Sequence, residues 1–291
     1  MTPLCARLTV AGVGLVGGSL ARAVRDAGLA GEVVGFGRSE ANLRVARERG
    51  LVDRTTSDPA AAVADADVVV LAVPAGACAG VADAFRPHVR AGTILTDVAS
   101  VKVAVVAALE ARWTSTGPFV GAHPIAGSEA SGAEAARGDL FRGRRCIVTP
   151  TPTTDPGALA LVTKLWAAVG ATVEEMAPAV HDEILARVSH LPHVVAYALV
   201  GAVGDMAIEG RRVLDYAGSG FRDTTRIAAS PAIVWRDILL ANVTPVRAAL
   251  AELRVELEEI ERLVAAGDAD GLEAALARAR NVRGRLGTGD S

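Results

Sequence analysis

Residues 6–24 read ARLTVAGVGLVGGSLARAV, and the fold follows from them. Residues 6–11 are an apolar run of strand length. Gly12, Gly14 and Gly17 follow with the spacing G-x-G-x-x-G, and residues 19–27 have helical composition. Strand, glycine turn and helix in that order open a dinucleotide-binding unit. The first glycine makes the tight turn, and the second lets a pyrophosphate approach the backbone. The third lets helix pack on strand, while the helix N-terminus favours the phosphate charge. The expectation is an α/β chain whose residues 1–177 form a Rossmann-type domain. It would hold NAD(P) through Gly12, Gly14, Leu15, Val16 and Gly17. A signal peptide is not expected here, because the apolar run is broken by glycines and lacks a basic leader.

The rest of the first half continues the pattern. Residues 32–36 read as the second strand and end in GFGRS (35–39). NAD-binding folds often place an acid there for the ribose 2′-hydroxyl. Here Gly37, Arg38 and Ser39 occupy that end, which suits a 2′-phosphate and so favours NADP over NAD; Arg38 could equally be a solvated helix-start residue. DVVVLAV (67–73) is a strand buried on both faces. Its end, Val73-Pro74, is a further cofactor-binding candidate. TILTDV (93–98) is the next strand, running into DVASVK (97–102) and a helix. Ser100 either caps that helix or points its hydroxyl at a ligand. Residues 119–122 lead into His123-Pro124, at a strand's carboxyl end, where ligands of open α/β sheets sit. An imidazole of ordinary pKa, about 6.5, is the natural proton acceptor at neutral pH. Residues 145–150 and 172–176 extend the sheet, with a helix over 156–169 between them.

Beyond Pro178 the pattern turns helical. Residues 179–204 are apolar at helical spacing and carry His181, Asp182, His190 and His193. His190 and His193 share a face, although Pro192 between them disturbs the backbone. No third ligand stands at metal-binding spacing, so no metal is expected. AGSGFRDTTRI (217–227) reads as a polar, glycine-broken segment between helices, with Arg222, Asp223 and Arg226. Trp235 follows on a helix, and long amphipathic helices close the chain. Residues 178–291 are therefore expected to be an all-helical domain that makes a homodimer.

Composition bounds the partners. The chain has 291 residues, 51% hydrophobic and 3% aromatic, with a formal charge of −3. That balance, without a basic stripe, argues against nucleic acid. No uninterrupted apolar run of membrane-spanning length occurs. Cys5, Cys78 and Cys146 form no disulfide or metal pattern, and a reducing cytoplasm is the simplest setting.

GVGLVGGSLA, DVASVK, AHPIAGSEASG (122–132), HDEILARVSHLPH (181–193) and GSGFRDTTRIAASPAIVWRDI (218–238), in this order and spacing, resemble the prephenate/arogenate dehydrogenase family of tyrosine biosynthesis. The resemblance covers nearly the whole chain. It implies a nucleotide-binding domain, a helical dimerisation domain and oxidative decarboxylation of a cyclohexadienol. Residue by residue, it makes His123 the acceptor of the ring C4 hydroxyl proton and Ser100 the group that orients that hydroxyl. It makes Arg226 the substrate carboxylate partner and His193 a second substrate-facing histidine. Glu129 would stand near the cleft entrance, and Trp235 would reach toward the partner subunit's site. His181 and Asp182 match the family's HD pair, with a structural role expected. His193 resembles prephenate-using members, so prephenate is favoured over arogenate. An amino analogue of prephenate would use the same base. From outside this chemistry, a β-hydroxyacid dehydrogenase or imine reductase would want a lysine or other acid in its helical domain, and this one contains no lysine before Arg254. A non-enzymatic NADP sensor would not need His123, Ser100 and Arg226 together.

Overall fold

In the computed structural model, residues 2–127 and 130–286 are described. The chain divides into two compact units, Met1–Val243 and Thr244–Ser291. The first is built on β1 (Cys5–Ala11), α1 (Leu15–Asp26), β2 (Ala30–Phe36), α2 (Glu40–Glu48), β3 (Arg54–Thr56), α3 (Pro59–Val63), β4 (Val68–Leu71), α4 (Ala75–Phe85), β5 (Ile94–Asp97), α5 (Val103–Trp113) and β6 (Phe119–Pro124). Then come β7 (Arg145–Thr149), α6 (Pro156–Ala168) and β8 (Thr172–Glu175). The eight strands lie in the order β3-β2-β1-β4-β5-β6-β7-β8. All pairs are parallel except β6 with β7, so β7 and β8 run against the rest.

The period-two alternation of strand side chains explains why these strands are continuously apolar. In β4, Val68 and Val70 join the core with α1, α2 and α6. Val69 and Leu71 join the opposite core with α3, α4 and α5. A strand covered on both faces has no polar side to show. Each such fully buried side chain contributes roughly 1.5–3 kcal/mol.

The helix after the glycine turn starts at Leu15, not at residue 19, so Gly17 and Gly18 lie inside it. Close packing is the reason: a Cβ at Gly17 would stand 2.1 Å from the Gly12 carbonyl oxygen.

The helical part begins with α7 (Pro178–Leu185), a π-turn over Ala186–His190 and α8 (Leu191–Val203). The Leu191 amide donates to the Ala186 carbonyl, five residues back. Pro192, with no N–H, follows directly. This run, Pro178–Val203, has a window of mean hydropathy 1.3 and is long and apolar enough to cross a membrane. Its His181, Asp182 and His190 are nevertheless buried inside the unit. A small hairpin, β9 (Ala207–Ile208) and β10 (Arg211–Arg212), leads to α9 (Ser219–Thr225) and α10 (Ala232–Ala241). The polar segment 217–227 is thus largely helix rather than loop. Neighbouring helices hold it, for Tyr197 on α8 donates its hydroxyl to the Ser230 carbonyl at 2.7 Å. α10 packs through Ile238 into the core beside α4 and α5.

The second unit holds most of α11 (Val243–Ala266) and α12 (Ala269–Arg283). Asp268 caps α12 by accepting the Gly271 amide at 2.9 Å. Both helices expose apolar side chains, among them Val255, Leu257, Val264, Leu276 and Val282.

Candidate active site

The carboxyl ends of four adjacent strands set the site out in a row. The glycine turn follows β1, Val73-Pro74 follow β4, Ser100 follows β5, and His123 is the last residue but one of β6. From β1 to β6 is three strand spacings, about 14 Å.

At the nucleotide end the three glycines do three different things. Gly12 has φ +96, and a Cβ there would stand 2.2 Å from the Ala72 carbonyl oxygen. Gly17 is the close-packed helix residue. At Gly14 an added Cβ would meet nothing within 4 Å. Gly14 is also the N-cap of the twelve-residue α1, with no side chain to bind the first-turn amides. Open space above unpaired helix N-terminal amides, at Leu15 and Val16, fits a pyrophosphate. Val73 is half-buried against Gly12, and Pro74 caps α4. Arg38 is exposed after β2. The Ser39 hydroxyl accepts the Asn42 amide at 3.3 Å as the cap of α2.

At the other end His123 is nearly enclosed, 8% exposed. Its backbone is fixed from below by a fully buried ion pair. Lys102 Nζ donates to Asp97 Oδ2 at 2.5 Å and to the Ala122 carbonyl at 2.7 Å. Asp97 Oδ1 accepts the Ala122 amide at 3.1 Å. His123 Nδ1 lies 2.8 Å from His181 Nε2, and His181 Nδ1 lies 2.8 Å from Asp182 Oδ1. The HD pair expected to be structural is therefore in direct contact with His123. Burial, then the neighbouring His181, Lys102 and His190, hold the His123 imidazole well below its ordinary pKa. It is a neutral imidazole, the form that accepts a proton.

Ser100 does not cap α5. Asp182, eighty residues on, does so in its place, its two oxygens accepting the Lys102 amide at 2.7 Å and the Val103 amide at 2.9 Å. Ser100 stays half-buried, and its hydroxyl makes no hydrogen bond among the described residues.

His190, which the sequence paired with His193, and Asn242, which it did not single out, both join this cluster. His190 is fully buried, and Asn242 Nδ2 reaches both its Nδ1 at 3.2 Å and the Asp182 carbonyl at 2.9 Å. Burial pushes His190 down to about 4. A regular helix would place His181 and His190, nine residues apart, on opposite sides, about 180° round. The π-turn brings both inward, and such turns mark functional sites.

His193 is half-buried, and its Nδ1 donates to the Ser189 carbonyl at 3.0 Å. Trp235 stacks on it, ring centroids 3.4 Å apart at 22°. Trp235 therefore lies against a candidate substrate residue of its own chain. Burial lowers the His193 pKa, the Ser189 carbonyl opposes this, and the Arg226 charge lowers it further. Arg226 is exposed, at the start of a 3₁₀ turn after α9. Glu129 lies outside the described residues. Among the described residues no cluster could hold a metal ion.

Residues 20–175 match the sequence model described as prephenate dehydrogenase, nucleotide-binding domain, and residues 177–278 the one described as prephenate dehydrogenase, dimerization domain. The chain is 35% identical to the cyclohexadienyl dehydrogenase of Zymomonas mobilis over 266 residues, 91% of this chain and 90% of that protein. It is 32% identical to the prephenate dehydrogenase of Bacillus subtilis over 280 residues, 96% of this chain and 76% of that protein. Among solved structures it is similar to the prephenate dehydrogenase of A. aeolicus in complex with hydroxyphenyl propionate and NAD+. The TM-score is 0.90 and the identity 34%, over 95% of this chain and 96% of that one. A Rossmann-like nucleotide-binding fold, a helical part that matches the dimerization model and these relatives identify an NAD(P)-dependent dehydrogenase: the chain belongs to the prephenate dehydrogenase family.

Proposed function

We propose that the chain oxidises and decarboxylates prephenate to 4-hydroxyphenylpyruvate, with His123 as the base. The observation that carries this is His123 itself: a neutral, nearly enclosed imidazole at the carboxyl end of β6, backed by His181 and Asp182, in a chain of this family. The bound nicotinamide supplies the hydride acceptor. His123 Nε2 takes the C4 hydroxyl proton as hydride leaves that carbon, since electron density from the oxygen drives the departure. When the ring carboxylate leaves as CO2, its electrons return through the ring to that oxygen, and His123 can give the proton back. Ser100, one strand away, orients the hydroxyl. Arg226 pairs with a substrate carboxylate as a guanidinium fork, and His193, held by Trp235, faces the side chain.

For the nucleotide we assign NADP. No acid stands at the end of β2, and Arg38 makes no ion pair among the described residues. We further assign residues 178–291 to substrate binding and homodimer formation. Val180, Ile184 and Val188 are exposed on the first helical run, and the helices of the second unit expose apolar side chains of their own. Apolar surface of that extent marks an interaction site.

The test is absorbance at 340 nm with purified protein, crossing prephenate and arogenate with NAD+ and NADP+. Reduction with prephenate, faster with NADP+, is expected. His123→Ala should lower kcat by roughly 10²–10⁴-fold, the size of a general-base contribution. Reduction with arogenate alone would overturn the substrate, and silence in all four combinations the activity.

A further inference from the structure

We propose that His181 and Asp182 are positioning residues that lock His123 in the tautomer with a bare Nε2. The proposal rests on the reading of His123 as the base. It follows from which atoms can donate and which can only accept. The Asp182 carboxylate receives three donors: the Lys102 amide, the Val103 amide and His181 Nδ1. An ionised carboxylate accepts only, so His181 Nδ1 must carry hydrogen. A neutral His181 then has a bare Nε2, which must accept. Across 2.8 Å the donor is His123 Nδ1–H. A neutral His123 with hydrogen on Nδ1 has none on Nε2, and Nε2 is the nitrogen that can take a proton from a substrate.

The charge states support each step. Burial alone would raise the Asp182 carboxyl, but the hydrogen bonds from His181, Val103 and Lys102 outweigh it and hold the group below the usual carboxylate range. Burial keeps His181 below its ordinary pKa despite the pull of Asp182, so it is neutral at pH 7. The charged and titratable groups around His123 are Lys102 at the start of α5, Asp97 on β5, His181 and Asp182 on α7, His190 in the π-turn and Cys146 on β7. Lys102 and Asp97 neutralise one another at 2.5 Å. That leaves Asp182 as the anion facing the imidazole chain. When His123 gains a proton, its Nδ1–H already points along that chain toward the anion.

The same carboxylate caps α5, the helix that follows Ser100. One side chain thereby sets the tautomer of the base and the position of the loop that carries the hydroxyl partner.

The test uses the full chain with prephenate and NAD(P)+. In Asp182→Asn an amide N–H turned to His181 Nδ1, at the cost of the Lys102 amide bond that shares Oδ1, reverses every donor in the row and leaves hydrogen on His123 Nε2. The expected result is a kcat lowered by about 10²–10⁴-fold, the scale of a lost base or a reversed histidine tautomer. The prephenate KM and the nucleotide affinity should hold, and ¹⁵N shifts of the His123 ring should report the other tautomer. His181→Gln, which offers a carbonyl oxygen to His123 Nδ1, should recover most of what His181→Leu loses. A folded Asp182→Asn with wild-type kcat, or with lost kcat and an unchanged His123 tautomer, overturns the proposal. Should Asp182→Asn fail to fold, the His181 pair decides: equal losses in both variants also overturn it. His123→Ala in the same assay separates the two readings. If it keeps full activity, the base assignment fails; if it is inactive while Asp182→Asn is not, only the tautomer lock fails.

Discussion

Acidification should destabilise this protein before its carboxylates titrate. His123 and His190 are buried, and both are held below the ordinary imidazole pKa, His190 at about 4. In the unfolded chain each returns to about 6.5. Below that value the unfolded state binds protons that the folded state refuses. The contribution of these histidines is therefore complete above pH 6.5 and is lost as pH falls through 6.5 toward the folded value. At pH 5 His190 alone has cost about RT ln(1 + 10^1.5), roughly 2 kcal/mol, and His123 adds a loss in the same direction. His181 and His193 are depressed as well and push in the same direction. Asp182, depressed among carboxylates, adds its loss only near pH 4 and below. Urea denaturation at pH 7.5, 6.5, 5.5 and 5 measures this. Stability should be flat above pH 7 and then fall by up to about 1.4 kcal/mol per pH unit for each fully neutral histidine. His190→Gln, less stable at neutral pH, should show a shallower fall between pH 6.5 and 5. A wild-type profile that stays level from pH 7.5 to 5 would refute the claim that these rings are held neutral by burial.

Four further outcomes follow. Lys102→Met leaves the fully buried Asp97 carboxylate without its cation and should cost about 3–5 kcal/mol in urea denaturation, the range for one broken partner of a buried pair. Gly12→Ala, at φ +96 and against the Ala72 carbonyl, should destabilise by more than about 1–3 kcal/mol of backbone strain alone. Gly14→Ala, with nothing within 4 Å of its Cβ, should keep stability within about 1 kcal/mol yet weaken nucleotide binding in titration calorimetry. Arg38→Ala should lower kcat/KM for NADP+ by roughly 10-fold to 150-fold, a lost charged hydrogen bond of about 1.5–3 kcal/mol, and leave NAD+ nearly untouched.

What could be read ahead of the structure was local. The glycine turn, the continuous apolar strands and the strand-end positions of Ser100 and His123 all follow from spacing and composition over a few residues. What could not be read depends on contacts distant in sequence. A residue that resembles a helix cap by position, Ser100, is displaced by Asp182, because a carboxylate arriving from α7 satisfies two amides at once. The reversal of β7 is set by the path of the chain between residues 124 and 145, not by the composition of the strand, so RCIVTP gave its existence without its direction. The segment 217–227 looked irregular because Gly218 and Gly220 are poor helix formers, yet packing against α8 carries it into α9. His190 and His193 were paired by spacing, and both do meet Trp235, but edge-on at 6.1 Å for one ring and stacked for the other. The π-turn that lets His190 and His181 both face inward leaves no mark in the hydrophobic period beyond Pro192 itself.

That turn and Asp182 answer the same difficulty. A base must be desolvated to act on a proton in an enclosed site, and desolvation removes the water that would otherwise choose its tautomer. The chain replaces water with a fixed row of donors and acceptors, from the amides of Lys102 and Val103 through Asp182 and His181 to His123. A row of this kind works only if its anchor cannot turn, and Asp182 is 1% exposed and bonded through both oxygens. Asn242 holds the backbone of the same residue and, through the π-turn, His190 on the other side. A substitution at Asn242 therefore loosens the base without touching it. Asn242→Ala should lower kcat while leaving the nucleotide turn after β1, three strand spacings from β6, as it was. Steady-state kinetics set beside nucleotide titration would read the two separately, and an equal loss in both would mean that Asn242 serves the fold at large rather than this row.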